Sequence, residues 1–168
     1  MTDLFADTIR RLARYNSLAN ERLYDGAARL ADADRKADRG AFFGSLHNTL
    51  NHILLADRIW MARFEDKPVA YTRLDTVLYE EFAALRDARR QEDARIEDFF
   101  AAASSGFLGG QLRWKSLAGE SFANPMAITA IHLFNHQTHH RGQAHDLLCQ
   151  AGVRDVVLDL PRVLNPAP

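Results

Sequence analysis

Four long segments of this chain repeat apolar residues at spacings of three and four, which constrains the fold more than any other feature. Such spacing places side chains on one face of an α-helix. The first segment runs from about Thr2 to Leu30. Its repeating positions are Leu4, Phe5, Ile9, Leu12, Asn16, Ala19 and Leu23. Asn16 interrupts the apolar face, and we interpret it as an amide that is hydrogen-bonded inside a helical core.

Two further helices are predicted before residue 104. The second covers Phe43 to Phe64, after a polar stretch from Asp32 to Gly40 that is typical of a solvated loop. The third covers Asp75 to Ala103, with Asp75 as its N-cap. No residue stands out as a general base, but Asp57 falls on the apolar face of the second helix and is the acid to consider. The alternative interpretation is that it is one partner of a buried ion pair with an arginine of another helix.

The fourth helix follows a segment in which the pattern changes. Glycines and alternating residues over 104–124 indicate an irregular insertion with a short hairpin. Asn124 is the expected N-cap, the helix covers Pro125 to about Ala151, and Gly152 is its expected stop. The remaining tail should pack along the surface. Four helices of this length with one core predict an all-α four-helix bundle with a short insertion before the last helix.

Composition excludes several classes of protein. The 168 residues suit one domain spanning 1–168, and 47% hydrophobic residues can form its core. With 21 Lys+Arg and 22 Asp+Glu, the net charge of −1 gives no electrostatic basis for nucleic-acid binding. No apolar run is long enough to span a membrane, and the start of the chain does not resemble a signal peptide. The single cysteine excludes an internal disulfide and suits the cytoplasm.

Histidines are concentrated in two places, on the second and fourth predicted helices. These are His47, His52, His132, His136, His139, His140 and His145. His136 and His140 are four residues apart, so their imidazoles lie on one helix face, about 40° apart, close enough to hold one ion. Neutral imidazole suits zinc, nickel, copper or iron. Three protein ligands would leave a coordination position open, as in catalytic sites.

The periodicity leaves the third ligand open between His47 and His52. The apolar face of the second helix is centred about 80° from His47 and about 140° from His52, which favours His47. Ile59 and Trp60 nevertheless lie off that face on the side of His52, so the helix can bury both sides. On the fourth helix, His132 and His139 are interpreted as packing or supporting residues, and His145 points away from His136.

The chain resembles the DinB/YfiT-like family over most of its length. The resemblance rests on RYNSLANERL, FFGSLHNTLNHILLADRIWMARF and HLFNHQTHHRGQAHDLLCQAG in the first, second and fourth helices. It implies an up-down-down-up four-helix bundle and a divalent metal held by His52, His136 and His140. Zinc and nickel are the favoured ions, with iron or manganese as alternatives. The family includes transferases and isomerases that use low-molecular-weight thiols.

We therefore expect a metal-dependent enzyme that activates a thiol or water for transfer to, or hydrolysis of, a small molecule. The alternative is a non-catalytic metal-binding or interaction bundle. Asn135, Arg141 and Gln143 are candidates for orienting ligands or substrate, although the commoner fate of an arginine such as Arg141 is the surface. A homodimer is expected, and Ile131 and Phe134 on the fourth helix could form its face or pack in the core. Cys149 should be buried as a small apolar residue.

Overall fold

The computed structural model describes residues 3–165 and is mostly helical, with one small two-stranded sheet. This agrees with the predicted class. The elements are α1 (Leu4–Ala28), α2 (Asp32–Lys36), α3 (Leu46–Phe64), α4 (Phe82–Ala102), α5 (Ser105–Leu108), β1 (Gln111–Lys115), β2 (Ser121–Pro125), α6 (Met126–Gln150) and α7 (Leu160–Leu164). Each of the four long helices packs against two others, α1 and α3 both lying against α4 and α6. Among the described residues, no helix is long and apolar enough to cross a membrane.

Side-chain caps set the starts of α1 and α3. Asp3 accepts hydrogen bonds from the N–H groups of Phe5 and Ala6 at 3.1 and 3.2 Å, so α1 begins at Leu4. Thr2, where the helix was predicted to begin, lies outside the described residues. α3 begins at Leu46 rather than Phe43, because the Ser45 hydroxyl caps the first turn. Phe43 therefore belongs to the preceding loop.

The predicted start of the third long helix is wrong by seven residues. α4 begins at Phe82, and Asp75 is not its N-cap but pairs with Arg73 at 2.8 Å in the loop before it. We call residues 65–81 the α3–α4 loop. Its extended course is stabilised by Asn51 of α3, whose Oδ1 accepts hydrogen bonds from the N–H groups of Leu78 and Tyr79, both at 2.9 Å. In the helix predicted for this segment, these two N–H groups would instead have bonded to backbone carbonyls.

The insertion before the last helix is the predicted hairpin. β1 and β2 pair antiparallel, with Trp114 opposite Phe122. Asn124 is part of β2 and accepts a hydrogen bond from the Trp114 indole at 2.9 Å, so it is not the N-cap of α6. Pro125 occupies that position, and α6 begins one residue later than predicted. Gly152 has a φ of 94° and ends the helix as predicted, because this backbone conformation favours glycine.

Two segments outside the long helices also differ in detail from the predictions. The stretch from Asp32 to Gly40, predicted as a loop, begins with the short helix α2. The C-terminal tail packs on α1 as expected, and part of it forms α7. Val163 is buried against Ala19, and the Tyr15 hydroxyl donates to the Leu158 carbonyl at 2.7 Å.

The long helices are joined at their centre by a buried polar network. Arg89 of α4 contacts Asp57 of α3 at 2.6 Å and Asp93 of its own helix at 2.9 Å. The side chains of Arg89 and Asp57 are 2% and 0% exposed. Our interpretation of Asp57 as half of a buried ion pair is confirmed. Because a buried charge is costly unless paired, the network ties α3 to α4 in one arrangement.

The same network continues into α1 and α6. The Asn20 side-chain amide donates to the Asp93 carboxylate at 2.9 Å, and Arg141 of α6 donates to the Oδ1 atoms of Asn16 and Asn20 at 2.7 and 3.1 Å. Gln137 of α6 donates to Asp57. Asn16 is thus a hydrogen-bonded core amide, as predicted.

Apolar side chains surround this polar layer on both sides. One cluster, which includes Met61, Ile96 and Leu133, extends toward the hairpin. The other includes Leu50, Leu85 and Leu147. The polar layer separates the two clusters along each long helix. Its side chains are buried, so leaving one of them unpaired would be costly.

Replacing Asp57 should destabilise the fold strongly. In Asp57→Ala, the Arg89 guanidinium would stay buried with Asp93 as its remaining carboxylate partner, and we expect a loss of about 3–5 kcal/mol in the free energy of unfolding. Urea unfolding followed by circular dichroism measures it. Asp155→Ala is the control, because Asp155 pairs with Arg29 on the surface and should cost less than about 1 kcal/mol. Equal small losses in both variants would contradict this account.

Candidate metal centre

Three imidazoles from two helices lie together beside the polar layer. His52 of α3 and His136 and His140 of α6 each offer one ring nitrogen, and these three atoms lie within 4.8 Å of one another. The ring centroids are 4.3 Å apart for His136 and His140 and 4.5 Å apart for His52 and His140. The pair on α6 meets across one turn, as its spacing predicts. His52 completes the group from the facing helix.

His52 is held with one nitrogen free to bind. Its Nδ1 donates a hydrogen bond to the Leu74 carbonyl of the α3–α4 loop at 2.8 Å. Its Nε2 is buried and has no hydrogen-bond partner among the described residues. Phe43 stacks on the ring, with centroids 4.0 Å apart. A backbone carbonyl on the second nitrogen is the usual support of a metal-binding histidine, because it fixes the tautomer and the ring orientation.

His140 has an equivalent support within α6. Its Nδ1 donates to Oε1 of Gln143 at 2.8 Å, and the amide nitrogen of Gln143 donates to Nε2 of His139 at 3.2 Å. This chain leaves Nε2 of His140 as the nitrogen with a free lone pair. Gln143 thus orients a candidate ligand, one of the roles suggested for it from the sequence. His139 supports the group indirectly, as interpreted.

Burial keeps all three rings neutral. It lowers the pKa of His52 and His140, and together with the neighbouring His140 and His52 it lowers the pKa of His136 to about 3. Nδ1 of His136 is also buried without a hydrogen-bond partner among the described residues. Neutral imidazoles with unpartnered nitrogens are the form in which histidine binds a metal ion. The residues present therefore fit a divalent cation.

The other histidines do not join the group. His47, which the helical periodicity favoured as third ligand, donates from Nε2 to the Tyr79 carbonyl at 2.8 Å. His132 packs between Trp60 and His136, consistent with a packing role. His145 bonds the Val156 carbonyl at 3.0 Å.

Several other expectations from the sequence need correction or refinement. Arg141 is not a surface residue: it is 2% exposed and bonds Asn16 and Asn20, so it cannot orient a molecule beside the histidines. Asn135 is exposed. Phe134 packs in the core, whereas Ile131 is exposed. Cys149 is half-buried rather than buried.

The three imidazoles lie at the wall of an open cleft. Its volume is about 770 Å³, which would hold a small molecule. It is lined by Phe42, Phe43, Asn48, His52, Leu74, Asp75, His136 and His140. The group is thus reachable from solvent on one side and closed by α3 and α6 on the other.

Sequence reasoning missed the part that the α3–α4 loop plays. The Leu74 carbonyl and the Asn51 amide hold the loop over His52, yet neither residue carries a recognisable ligand pattern. The available signal was Asn51 itself, a polar residue beside His52 on a helix that is buried on most sides. A buried amide of this kind needs partners; the His47 carbonyl of α3 supplies one and the loop supplies the others.

We expect the ring protonation of the metal-free protein to follow these hydrogen bonds. Long-range ¹H–¹⁵N NMR at pH 7 should find His52 and His140 neutral with the proton on Nδ1. On lowering the pH to about 5, His136 should stay neutral, because burial lowers its pKa to about 3, whereas an unperturbed imidazole takes up a proton below about 6.5.

Gln143→Leu provides the internal test of that assignment. It removes the acceptor of His140 Nδ1, so the tautomer of His140 should become mixed while that of His52 is unchanged. Gln150→Leu is the control, because Gln150 bonds Asp146 on the exposed surface. A His140 tautomer that is insensitive to Gln143→Leu would contradict the arrangement.

Comparison with known proteins places the chain in a family. It is similar to the Bacillus subtilis protein DinB, with 23% identity over 163 residues that cover 92% of each chain. The crystal structure of a DinB-like protein from Bacillus cereus has the same fold, with a TM-score of 0.63 and 22% identity, covering 86% of this chain and 90% of that one. The sequence model of the DinB family matches residues 2–168. The chain therefore belongs to the DinB family, which confirms the resemblance found from the sequence.

Proposed function

We propose that this protein binds a divalent metal ion through His52, His136 and His140 and uses it as an enzyme on a small molecule. The observation that carries the proposal is the Nε2 atom of His52, which is buried without a hydrogen-bond partner among the described residues. The ring nitrogens of His136 and His140 lie within 4.8 Å of their counterpart on His52. Burying an unpaired imidazole nitrogen is costly, and a metal ion bound by this nitrogen would offset that cost.

The donor set favours particular ions. Three neutral imidazoles suit zinc and nickel, and iron or manganese are the alternatives. No carboxylate belongs to the group of three, which argues against the hard ions calcium and magnesium.

The open cleft favours catalysis over a purely structural metal. When held by these three histidines, a divalent ion would lower the pKa of a thiol or water beside it, and a nucleophile would then be available near neutral pH. The protein's own part is to position that ion: Leu74 and Gln143 fix the two ring orientations, and Phe43 covers the His52 ring. The cleft beside the histidines admits a small-molecule substrate, with a low-molecular-weight thiol as one partner.

A non-catalytic metal-binding protein is the second candidate. It is favoured by the absence of a free acid or base on the described cleft wall, where Asp75 is the single carboxylate and is engaged by Arg73. A thiol-transfer or hydrolysis reaction that requires the bound metal would identify an enzyme. The non-catalytic protein would bind the metal without any such reaction.

The wider organisation belongs to the same proposal. We include a single domain over 1–168, the up-down-down-up bundle topology, a cytoplasmic location and a homodimer.

Ile128 and Ile131, 57% and 43% exposed on α6, support a homodimer through that face. Light scattering at micromolar concentration should give twice the mass of the chain; the mass of a single chain would contradict the dimer.

Substitution of the histidines tests the metal site directly. His136→Ala and His140→Ala should each lose most of the metal found in the wild-type protein, and any metal-dependent turnover with it, because two ligands remain. Metal content by mass spectrometry and chelator competition measure this. His145→Ala is the control, since His145 bonds the Val156 carbonyl and does not join the group, so this variant should keep near-stoichiometric metal.

The same assay decides the third ligand. His52→Ala should lose metal, whereas His47→Ala, which removes only the bond to Tyr79, should retain it. Wild-type protein that binds neither zinc nor nickel after incubation would overturn the proposal.

A further inference from the structure

We propose that the cleft selects small molecules that carry one metal-binding group, such as a thiol, on an uncharged apolar body, and disfavours those with a second anionic group. This inference rests on the proposed function, because it takes the histidines as the point where the metal-binding group is held. The inference concerns the side chains of the cleft wall other than the three histidines, which have no part in the proposed metal binding.

Apolar side chains form the outer part of that wall. Phe42 is 87% exposed and Leu74 is 52% exposed, and both line the cleft on the approach to the histidines. Phe42 packs edge-on against Phe43, and Phe43 in turn packs against both His52 and His140. The three side chains thus extend as an apolar surface from solvent to the candidate ligands. An apolar ligand body would remove this surface from water, which is favourable in proportion to the area covered.

The wall offers no positive charge to a second anionic group. No lysine or arginine is among the residues that line the cleft in the described part of the chain. The guanidinium of the nearby Arg73 is already engaged, because its Nε contacts one oxygen of the Asp75 carboxylate and its terminal nitrogen the other, at 2.8 and 2.5 Å. A carboxylate in the ligand would therefore meet Asp75 rather than a free cation.

Two donors of Asn48, at the nearby helix start, are also occupied. α3 begins beside the cleft, where Asn48 is a wall residue. The Asn48 N–H bonds the Ser45 hydroxyl at 3.2 Å, and its side-chain amide donates to the Phe43 carbonyl at 3.0 Å. An anionic group would find these donors taken, so binding it would cost its solvation without a new partner.

The affinities of two thiols, one with an apolar body and one with a second anionic group, test the inference. Cobalt-loaded protein, in which the visible absorption reports the coordination of added thiols, is titrated with 2-phenylethanethiol and with 3-mercaptopropionate. We expect the phenyl compound to bind at least about tenfold more tightly. Leu74→Arg should reduce or reverse this preference by placing a cation at the cleft. The Leu74 carbonyl, which holds His52, is unaffected by the change of side chain.

Leu4→Arg is the matched control. It makes the same change of charge at a residue that is 79% exposed and does not line the cleft, so the wild-type preference should persist. Equal affinity of the wild-type protein for both thiols, or tighter binding of 3-mercaptopropionate, would overturn the inference. Failure of cobalt to bind at all would overturn the proposed function as well, so the two failures are distinguishable.

Discussion

The guanidinium groups of Arg89 and Arg141 lie in the middle of the helical core, and the packing of the long helices depends on how they are paired. Arg89 joins α4 to α3 through Asp57, and Arg141 joins α6 to α1 through Asn16 and Asn20. Burying a guanidinium removes its favourable interactions with water, so each of the two groups needs hydrogen-bond or charged partners inside the core. The apolar clusters on either side can slide or rotate more cheaply than this layer can.

This constraint also sets the direction of the candidate ligands on α6. Gln137 and Arg141 directly follow His136 and His140, so the two pairs lie on adjacent strips of the helix, about 100° apart. With Gln137 bonded to Asp57 and Arg141 to α1, the helix has one rotation about its axis. That rotation turns the histidine pair toward α3 and the cleft. The buried layer thereby serves the site without containing any residue of it.

The sequence predicted the helical class, the hairpin, the buried pairing of Asp57 and the i, i+4 histidine pair, because each leaves a local pattern in spacing or residue type. The start of α4 was missed because Asp75 has the chemistry of an N-cap but is paired with Arg73. Arg141 was expected at the surface because its partners are on α1, more than a hundred residues away in sequence. Helical periodicity favoured His47, whereas the family resemblance selected His52, and His52 is the one that lies with His136 and His140. Periodicity could not decide between them, because the position of each ring depends on contacts with the α3–α4 loop, whose carbonyls bind both.

The central claim is that His52, His136 and His140 hold one divalent ion. Crystals of the zinc-loaded protein, with diffraction recorded on both sides of the zinc absorption edge, test it most directly. The account predicts one strong anomalous peak within bonding distance of Nε2 of His52, Nε2 of His140 and a ring nitrogen of His136. A peak bound by His47 instead of His52, or an absence of zinc between α3 and α6 in zinc-soaked crystals, would contradict it.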